Sequence, residues 1–362
     1  MNEKKKVLVA MSGGVDSSMA AALLCEQGYE CIGVTMKLYA DETAGRRRGA
    51  TCCSLADVED ARSAACRIGI PYHVFNFTAD FDAAVVRPFA ESYERGETPN
   101  PCIACNRHLK FARLYRRARE LGCDFIATGH YASIRFDAAS GLYALHAAQD
   151  KAKDQSYVLY MLTQEQLAHT LFPLGGLEKG TVREMAAARG LLNAHKRDSE
   201  DICFVPDGDY AAFLERYRGA PYPPGDFIGA NGKVLGRHRG FVRYTIGQRR
   251  GLGISAAAPL YVTGRDAAAN TVSLGGAEAL MHRTFTVREW NWTAGKAPEA
   301  PLRVQVVARY HAAPAAAVAF PQEDGTVRIE TETPLRAVTP GQVAVLYCGG
   351  EVLGGGTVST VL

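Results

Sequence analysis

Three cysteines and one glycine–serine turn are the groups in this 362-residue chain whose types and spacing suit chemistry. Cys102 and Cys105 stand in Thr98-Pro99-Asn100-Pro101-Cys102-Ile103-Ala104-Cys105-Asn106, and Cys203 stands in Asp198-Ser199-Glu200-Asp201-Ile202-Cys203-Phe204. Pro99 and Pro101 stiffen the approach to a helix predicted over residues 103–121, so both leading cysteines lie near a helix start. A thiolate there is favoured by the helix dipole and by nearby Arg107 and Lys110, which lower a thiol pKa. Reactive sulfur is the inference; a zinc clip or inert buried thiols is the competing one. Three cysteines without an obvious fourth ligand make a closed structural zinc site less attractive. The adjacent Cys52-Cys53 pair is read as structural, because neighbouring side chains point in different directions. Cys25, Cys31, Cys66, Cys123 and Cys348 fall in apolar patterns and are expected in the core.

The turn is Ser12-Gly13-Gly14-Val15-Asp16-Ser17-Ser18, preceded by Val7-Leu8-Val9-Ala10-Met11 and followed by Met19-Ala20-Ala21-Ala22-Leu23-Leu24. That order is strand, loop, helix. Two glycines let the backbone approach an anion closely, and the serine hydroxyls and free N–H groups of the helix start can surround it. The helix dipole adds a modest favourable term for negative charge. No Gly-Lys-Ser/Thr follows, which excludes the loop of kinase-like NTPases. The turn resembles the PP-loop of ATP pyrophosphatases, enzymes that split ATP into AMP and pyrophosphate to adenylate a substrate. Asp16 there either caps the helix or helps hold Mg²⁺ on the pyrophosphate. Magnesium is expected wherever ATP is the substrate.

Further motifs run in order along nearly the whole chain: Gly96–Phe111, Ala127-Thr128-Gly129-His130-Tyr131, Lys153-Asp154-Gln155-Ser156-Tyr157, Asp198–Phe204, Gly247–Gly253 and Pro340–Gln342. With the cysteines and the turn, they make the chain similar to the bacterial tRNA-specific 2-thiouridylases. The resemblance implies adenylation of the C2 oxygen of the wobble uridine of tRNA, then displacement of AMP by sulfur, with the catalytic roles on Cys105 and Cys203. It implies ATP contacts from Ala10, Met11, Ser12, Gly13, Gly14, Val15, Asp16, Ser17, Met36 and Gly129. It places tRNA contacts at Asn100, Pro101, Cys102, His130, Lys153, Asp154, Gln155, Arg309, Tyr310 and Gln342. The partners implied are the anticodon region of tRNA and a sulfur donor such as a cysteine desulfurase or sulfur-relay protein.

One position departs from the family's commonest pattern: Cys102 stands where Asp is usual. Cys102, Cys105 and Cys203 then resemble the trio of thiouridylases that hold a [4Fe-4S] cluster, whose fourth iron would bind a hydrosulfide. The alternative is a persulfide relay, in which Cys203 delivers sulfur and Cys105 resolves to a disulfide. A third thiolate in place of a carboxylate suits iron better than it suits a relay, so the cluster is the favoured expectation.

The basic side chains Arg107, Lys110, Arg113, Arg116, Arg117 and Arg119 ride on the helix after Cys105, and Gly247-Gln248-Arg249-Arg250-Gly251 is a second basic turn. Each is either a solvated face or a phosphate contact. A base attacked at C2 must leave its stack and enter a pocket. His130, apart from the resemblance, reads as a hydrogen-bonded structural histidine. Arg309-Tyr310 ends an alternating strand where a guanidinium meets a phosphate and a ring meets a base.

The elements that must position these groups follow from periodicity. Strands are predicted at Val7–Met11, Ile32–Met36, Tyr72–Phe77 and Phe125–Thr128. Helices are predicted around Ser17–Glu26, Leu55–Ile68, Asp80–Arg95 and Ile103–Leu121, with residues 151–190 mainly helical. That alternation predicts an α/β fold, a doubly wound parallel sheet that binds ligands at the carboxyl ends of its strands. After Tyr222-Pro223-Pro224-Gly225 short apolar runs punctuated by glycine predict a small β-rich domain, and from His282 alternating runs predict a C-terminal β-barrel or sandwich. The expected borders are 1–205 for the PP-loop domain, 206–281 and 282–362, with helix about 160–195 packing against the second domain. Asp41–Gly49 is expected to be a mobile loop.

Bulk properties agree with two or three domains. With 47% apolar and 22% charged residues the composition is globular, and a net charge of +3 requires any RNA binding to come from local patches. Lys4-Lys5-Lys6 precedes too short an apolar run for a signal peptide, and no stretch is long and apolar enough to span a membrane. Ten cysteines without a secretion signal predict reduced thiols and a cytoplasmic location. Two rival functions are a PP-loop ligase or amidotransferase adenylating a small molecule, and a non-enzymatic RNA-binding iron–sulfur protein. The first leaves the cysteine trio unexplained, and the second leaves the intact turn unexplained.

Overall fold

A computed structural model describes residues 4–39, 55–198, 202–205 and 207–362. The expectations for Asp41–Gly49 and for Cys52-Cys53 fall outside the described residues. The first domain is built on β1 (Lys6–Ala10), β2 (Glu30–Lys37), β3 (Tyr72–Asn76) and β4 (Phe125–Ala127); a hairpin β5 (Ala132–Asp137) and β6 (Leu142–Ala147) then precedes the short β7 (Thr170–Leu171). The sheet runs β3-β2-β1-β4-β7 and every pairing is parallel. Strand β1 is fully buried at Val7, Leu8 and Val9, which is why it reads as one continuous apolar run. The strand order reverses between β1 and β4, and the crevice beyond their carboxyl ends is where such sheets take ligands.

Helices α1 (Val15–Glu26) and α2 (Leu55–Ile68) cover one face. Helix α3 (Thr78–Phe81) runs through a π-helical turn (Asp82–Val86) into α4 (Arg87–Glu94). Helix α5 (Pro101–Cys105) likewise runs through a π-helical stretch (Asn106–Leu114) into α6 (Tyr115–Glu120). Residues 151–190 are less helical than predicted, with α7 (Gln164–Ala168) and α8 (Lys179–Ala188) separated by β7. Helix α8 packs on α1, and Val182 and Ala186 join the core of Met19, Ala20 and Ala21. It therefore belongs to the nucleotide side of the first domain, with its apolar face used up on α1.

Helix α9 (Tyr210–Arg218) leads to the central sheet of β8 (Gly225–Gly229), β9 (Val234–His238), β10 (Tyr261–Asp266) and β11 (Thr271–Gly275), in order β10-β11-β8-β9. The last strands are β12 (Met281–Trp292), β13 (Leu302–Val307), β14 (Ala315–Pro321), β15 (Val327–Arg336), β16 (Val343–Cys348) and β17 (Glu351–Val361). They pair in the order β12-β15-β14-β13-β16-β17, and β12 also pairs β17, so six strands close into a barrel around Phe285, Val306, Ile329 and Val358. The hairpin missed in the sequence extends this sheet, β6 pairing β17, and ties the first domain to the barrel.

Among the cysteines expected in the core, Cys31 and Cys123 are buried and Cys25 is half-buried, but Cys66 and Cys348 are exposed. Cys66 lies on the solvent side of α2, and Cys348 ends β16 at a glycine turn, where an apolar neighbourhood in sequence does not become one in space. No helix among the described residues is long and apolar enough to cross a membrane.

Candidate functional site

The loop from Ser12 to Ser18 is shaped by bonds inside the first domain. The Ser12 amide donates to Ser17 Oγ (3.1 Å), and the Ser17 and Ser18 hydroxyls each donate to the Gly14 carbonyl (3.1 Å). Gly13 has φ +78° and a Cβ there would lie 2.3 Å from the Asp57 carbonyl, so only glycine fits. A Cβ on Gly129 would lie 2.6 Å from the Ser17 amide. Its missing side chain therefore lets the segment after β4 pack on the first turn of α1, a reason for glycine independent of any nucleotide. Met36 is buried near the end of β2, within the core that contains Leu8 and Val34.

Asp16 does not cap α1; Gly14 occupies the N-cap without a side-chain bond. Its carboxylate accepts from Lys179 Nζ at both oxygens (2.7 Å each) and from the Tyr131 hydroxyl (2.8 Å). Lys179 also reaches Asp198 Oδ1 (2.8 Å), which is joined by Arg183 (2.9 Å), while Lys153 binds Oδ2 (2.8 Å). Burial works against the Asp198 carboxylate, but the bonds from Lys153 and Lys179 outweigh it and hold its pKa below the usual range. Across the loop, Asn193 Nδ2 donates to the Gly13 carbonyl (3.0 Å) and Ser18 Oγ (2.9 Å). Lys196 pairs with Asp57 and Asp60 at 2.6 Å; burial works against its ammonium, yet the two carboxylates raise its pKa. The result is a small loop of N–H and hydroxyl donors surrounded by Lys153, Lys179, Arg183 and Lys196, which are paired with the carboxylates of Asp16, Asp57, Asp60 and Asp198. That set suits a polyphosphate and its cation. Lys179, Arg183, Asn193 and Lys196 were not found by motif, because α8 and the turn after it carry no spacing that distinguishes them from an ordinary surface helix.

The cysteine helix begins with Asn100 at the N-cap, its side chain accepting from the Cys102 amide (3.1 Å), and Pro101 in the first turn. Cys102 is exposed and Cys105 is buried. The π-helical stretch that follows is held from outside the helix: Asn106 Nδ2 donates to the Val158 carbonyl (3.0 Å), Arg107 to the Tyr160 hydroxyl (3.2 Å) and Gln166 Nε2 to the Phe111 carbonyl (2.6 Å). A π-helical register directly after a reactive residue is common at functional sites. Beside Cys102 stands Tyr310, its pKa pushed up to about 12 by burial and by Cys102 and Asp154. Tyr310 lies 5.4 Å from the Tyr157 ring. Cys203 is half-buried and borders the same apolar core as Cys105. Its neighbour Phe204 pins the segment between Phe81 (5.6 Å), Phe89 (5.2 Å) and Phe213 (5.1 Å).

Among the described residues no three Cys, His, Asp or Glu side chains are placed to hold a metal ion. On the same short helix Cys102 is exposed and Cys105 is buried.

The residues assigned to tRNA divide into two groups. His130 is buried between Phe111 and Phe172, its Nδ1 2.7 Å from Thr128 Oγ1, and burial together with Lys110 holds it neutral well below its usual pKa. Its ring packs against those two aromatic side chains, as the reading of a hydrogen-bonded structural histidine expects. Asp154 builds a local turn by accepting from the Ala148 amide and the Ser156 hydroxyl (both 2.8 Å), and Gln155 Oε1 accepts from the Tyr131 amide (3.0 Å). Gln342 Nε2 donates to the Thr98 carbonyl (2.8 Å). Open to solvent are Arg309, and the ring of Tyr310 in part, beside Cys102. On the basic helix Arg113 pairs with Asp80 (3.1 Å) and Arg117 pairs with Glu120, while Arg116, Arg119, Arg249 and Arg250 are exposed.

Comparison with known proteins identifies the chain's domains and relatives. Residues 5–207 match the family described as tRNA methyl transferase HUP domain, residues 211–276 its PRC-barrel domain, and residues 282–358 an aminomethyltransferase beta-barrel domain. The chain is 49% identical over 358 residues to the tRNA-specific 2-thiouridylase MnmA of Acetivibrio thermocellus, covering 98% of this chain and 99% of that protein. It is 48% identical to the protein of that name from Heliobacterium modesticaldum (98% and 92% covered) and 46% identical to that from Clostridioides difficile (99% of each).

Proposed function

This chain belongs to the tRNA-specific 2-thiouridylase family, and from that premise we propose that it is an ATP-dependent tRNA sulfurtransferase acting on the wobble uridine. The observation that carries the proposal is the placement of a polyphosphate-type loop and two cysteines in one domain, with Asp198 in the ion-pair network beside the loop. ATP with Mg²⁺ seats on Ala10–Ser17, with Lys153, Lys179, Arg183 and Lys196 screening the phosphates and Met36 and Gly129 near the nucleotide. Positive charge there stabilises the charge that develops on pyrophosphate as it leaves. The C2 oxygen of a flipped uridine attacks the α-phosphorus, and pyrophosphate departs.

Sulfur then travels as a persulfide on Cys203. Its terminal sulfur attacks C2, AMP leaves, and the Cys105 thiolate attacks the inner sulfur. That breaks the S–S bond to the product and leaves 2-thiouridine and a Cys105–Cys203 disulfide, which a cellular thiol reduces. The persulfide is loaded by a sulfur donor such as a cysteine desulfurase or relay protein. Arg309, Tyr310, Asn100 and Cys102 line the exposed approach for the RNA, Lys153 stands between the two sites, and residues 206–281 and 282–362 grip the tRNA.

Purified protein, unmodified tRNA, Mg-ATP and a persulfide donor test this by nucleoside mass spectrometry. We expect 2-thiouridine with one pyrophosphate released per thiolated base. Pyrophosphate release that ignores tRNA and follows a small carboxylate instead would assign the chain to the ligase class.

A further inference from the structure

The strap that leads into the cysteine helix continues from α4, where the Gly96 and Glu97 amides donate to the Tyr93 (3.0 Å) and Ser92 (2.8 Å) carbonyls, and its next residue is held from the two β-modules. Every polar atom of Thr98 is bound by them: its amide donates to the Pro340 carbonyl (3.0 Å), its carbonyl accepts from Gln342 Nε2 (2.8 Å), and its Oγ1 accepts from Arg265 Nη2 (2.8 Å). The same Arg265 nitrogen donates to the Gly96 carbonyl (2.7 Å), and Arg288 of the barrel binds Glu97 Oε1 (2.8 Å). Gly341 has φ +86° and a Cβ there would lie 2.7 Å from the Thr98 amide, so the barrel turn is pressed against the strap. Thr98 is itself buried, and Asn100 begins the cysteine helix two residues later.

Arg265 is the one contact from the central domain among these. Its guanidinium lies 5.8 Å from the Tyr93 ring, which stacks on Tyr210 at 4.8 Å. Two of its nitrogens, Nε and Nη1, are buried without a partner among the described residues. A buried guanidinium left half-satisfied is costly, and the contacts it does make fix two backbone-adjacent oxygens of one strap.

We propose that Arg265 is a positioning residue for sulfur transfer: docked from the central domain onto Gly96 and Thr98, it sets where Cys102 and Cys105 stand, while the nucleotide loop is set independently. This makes the Arg265 contact with the strap a condition for sulfur transfer beyond the RNA binding that both half-reactions share. The inference rests on the thiolation reading above.

The test compares wild type, Arg265→Ala, Arg265→Lys and Thr98→Val in single-turnover reactions, following pyrophosphate release and 2-thiouridine formation on the same tRNA. In Arg265→Ala, pyrophosphate release is expected to stay within about twofold of wild type while thiouridine formation falls about tenfold or more. Thr98→Val keeps the backbone bonds and the guanidinium, so it tests the contact without endangering the fold, and a fall of about threefold in the same ratio is expected. Arg265→Lys, with a single ammonium in place of the fork, falls between. If both rates drop in parallel, or the ratio does not move in Thr98→Val and Arg265→Ala, the inference is wrong. Wild type that makes no thiouridine at all condemns the functional reading itself.

Discussion

The nucleotide loop and the cysteine helix are built on opposite plans. The loop is determined within one domain: β1 and α1 are contiguous in sequence, Gly13 is locked against α2, and Lys179, Asn193 and Lys196 close it from the same core. The cysteine helix is contiguous too, but the strap before it is fixed by Arg265, Arg288, Pro340 and Gln342, residues at least 167 positions away. The phosphate-binding end is thus shaped inside one domain, whereas the sulfur end takes its position from all three modules. Both half-reactions act on the same RNA-held base, but only sulfur delivery depends in addition on where the strap sets the cysteines.

Substitutions on either side sharpen or break that contrast. The largest effect is expected for Cys105→Ala: thiouridine formation falls on the order of 10³-fold while pyrophosphate release persists, and residual thiolation near wild type would remove Cys105 from the chemistry. Gly13→Ala attacks the other end. A side chain at φ +78° and 2.3 Å from the Asp57 carbonyl displaces the loop, so ATP cleavage and thiolation fall together. We expect about a hundredfold loss of both, read as tRNA-dependent pyrophosphate release.

Lys179→Met leaves Asp16 and Asp198 facing each other without their shared cation. A loss of roughly 2 kcal/mol in urea unfolding is expected, less than for a fully buried pair because both carboxylates keep some solvent, with pyrophosphate release down about tenfold. An unchanged unfolding midpoint would show that the network contributes nothing to the loop. His130 supplies a pH test. Its folded pKa is held well below 6.5, so it stays neutral when the unfolded chain takes up a proton. Stability is therefore full above about pH 6.5 and declines as pH falls below it, by at most ~1.4 kcal/mol per pH unit from this group, and His130→Asn should flatten that slope. Cys102→Ser is the mildest: a persulfide relay through Cys203 and Cys105 tolerates it within about threefold, whereas loss of activity together with protein-bound iron in anaerobically purified wild type would restore the cluster.

The candidate site was legible where chemistry is local in sequence. Ser12–Ser18 announces itself because phosphate binding needs consecutive donors at a strand–helix turn, and Cys102 and Cys105 because prolines and a helix start frame them. Asn100 was assigned to RNA, yet its cap on Cys102 is a bond within two residues that the Asn-Pro-Cys spacing already contained. Cys66 and Cys348 were misplaced because an apolar pattern fixes which residues are neighbours in sequence but not which face turns to water. That His130 packs between Phe111 and Phe172 was not legible, because those rings come from different segments. The hairpin of β5 and β6 was missed because its strands carry mixed polarity and acquire a partner only when β17 arrives.

By itself the sequence determined the reactive groups, the parallel sheet that presents the loop, and the family, because each rests on short-range order: consecutive donors, alternating elements, motifs in register. Only the tertiary structure decided that Asp16 is clamped by Lys179 rather than capping α1, and that Thr98 is held by two other domains. Those outcomes depend on charges and carbonyls brought together across 160 or more residues, and no local pattern encodes which distant partner closes a given bond.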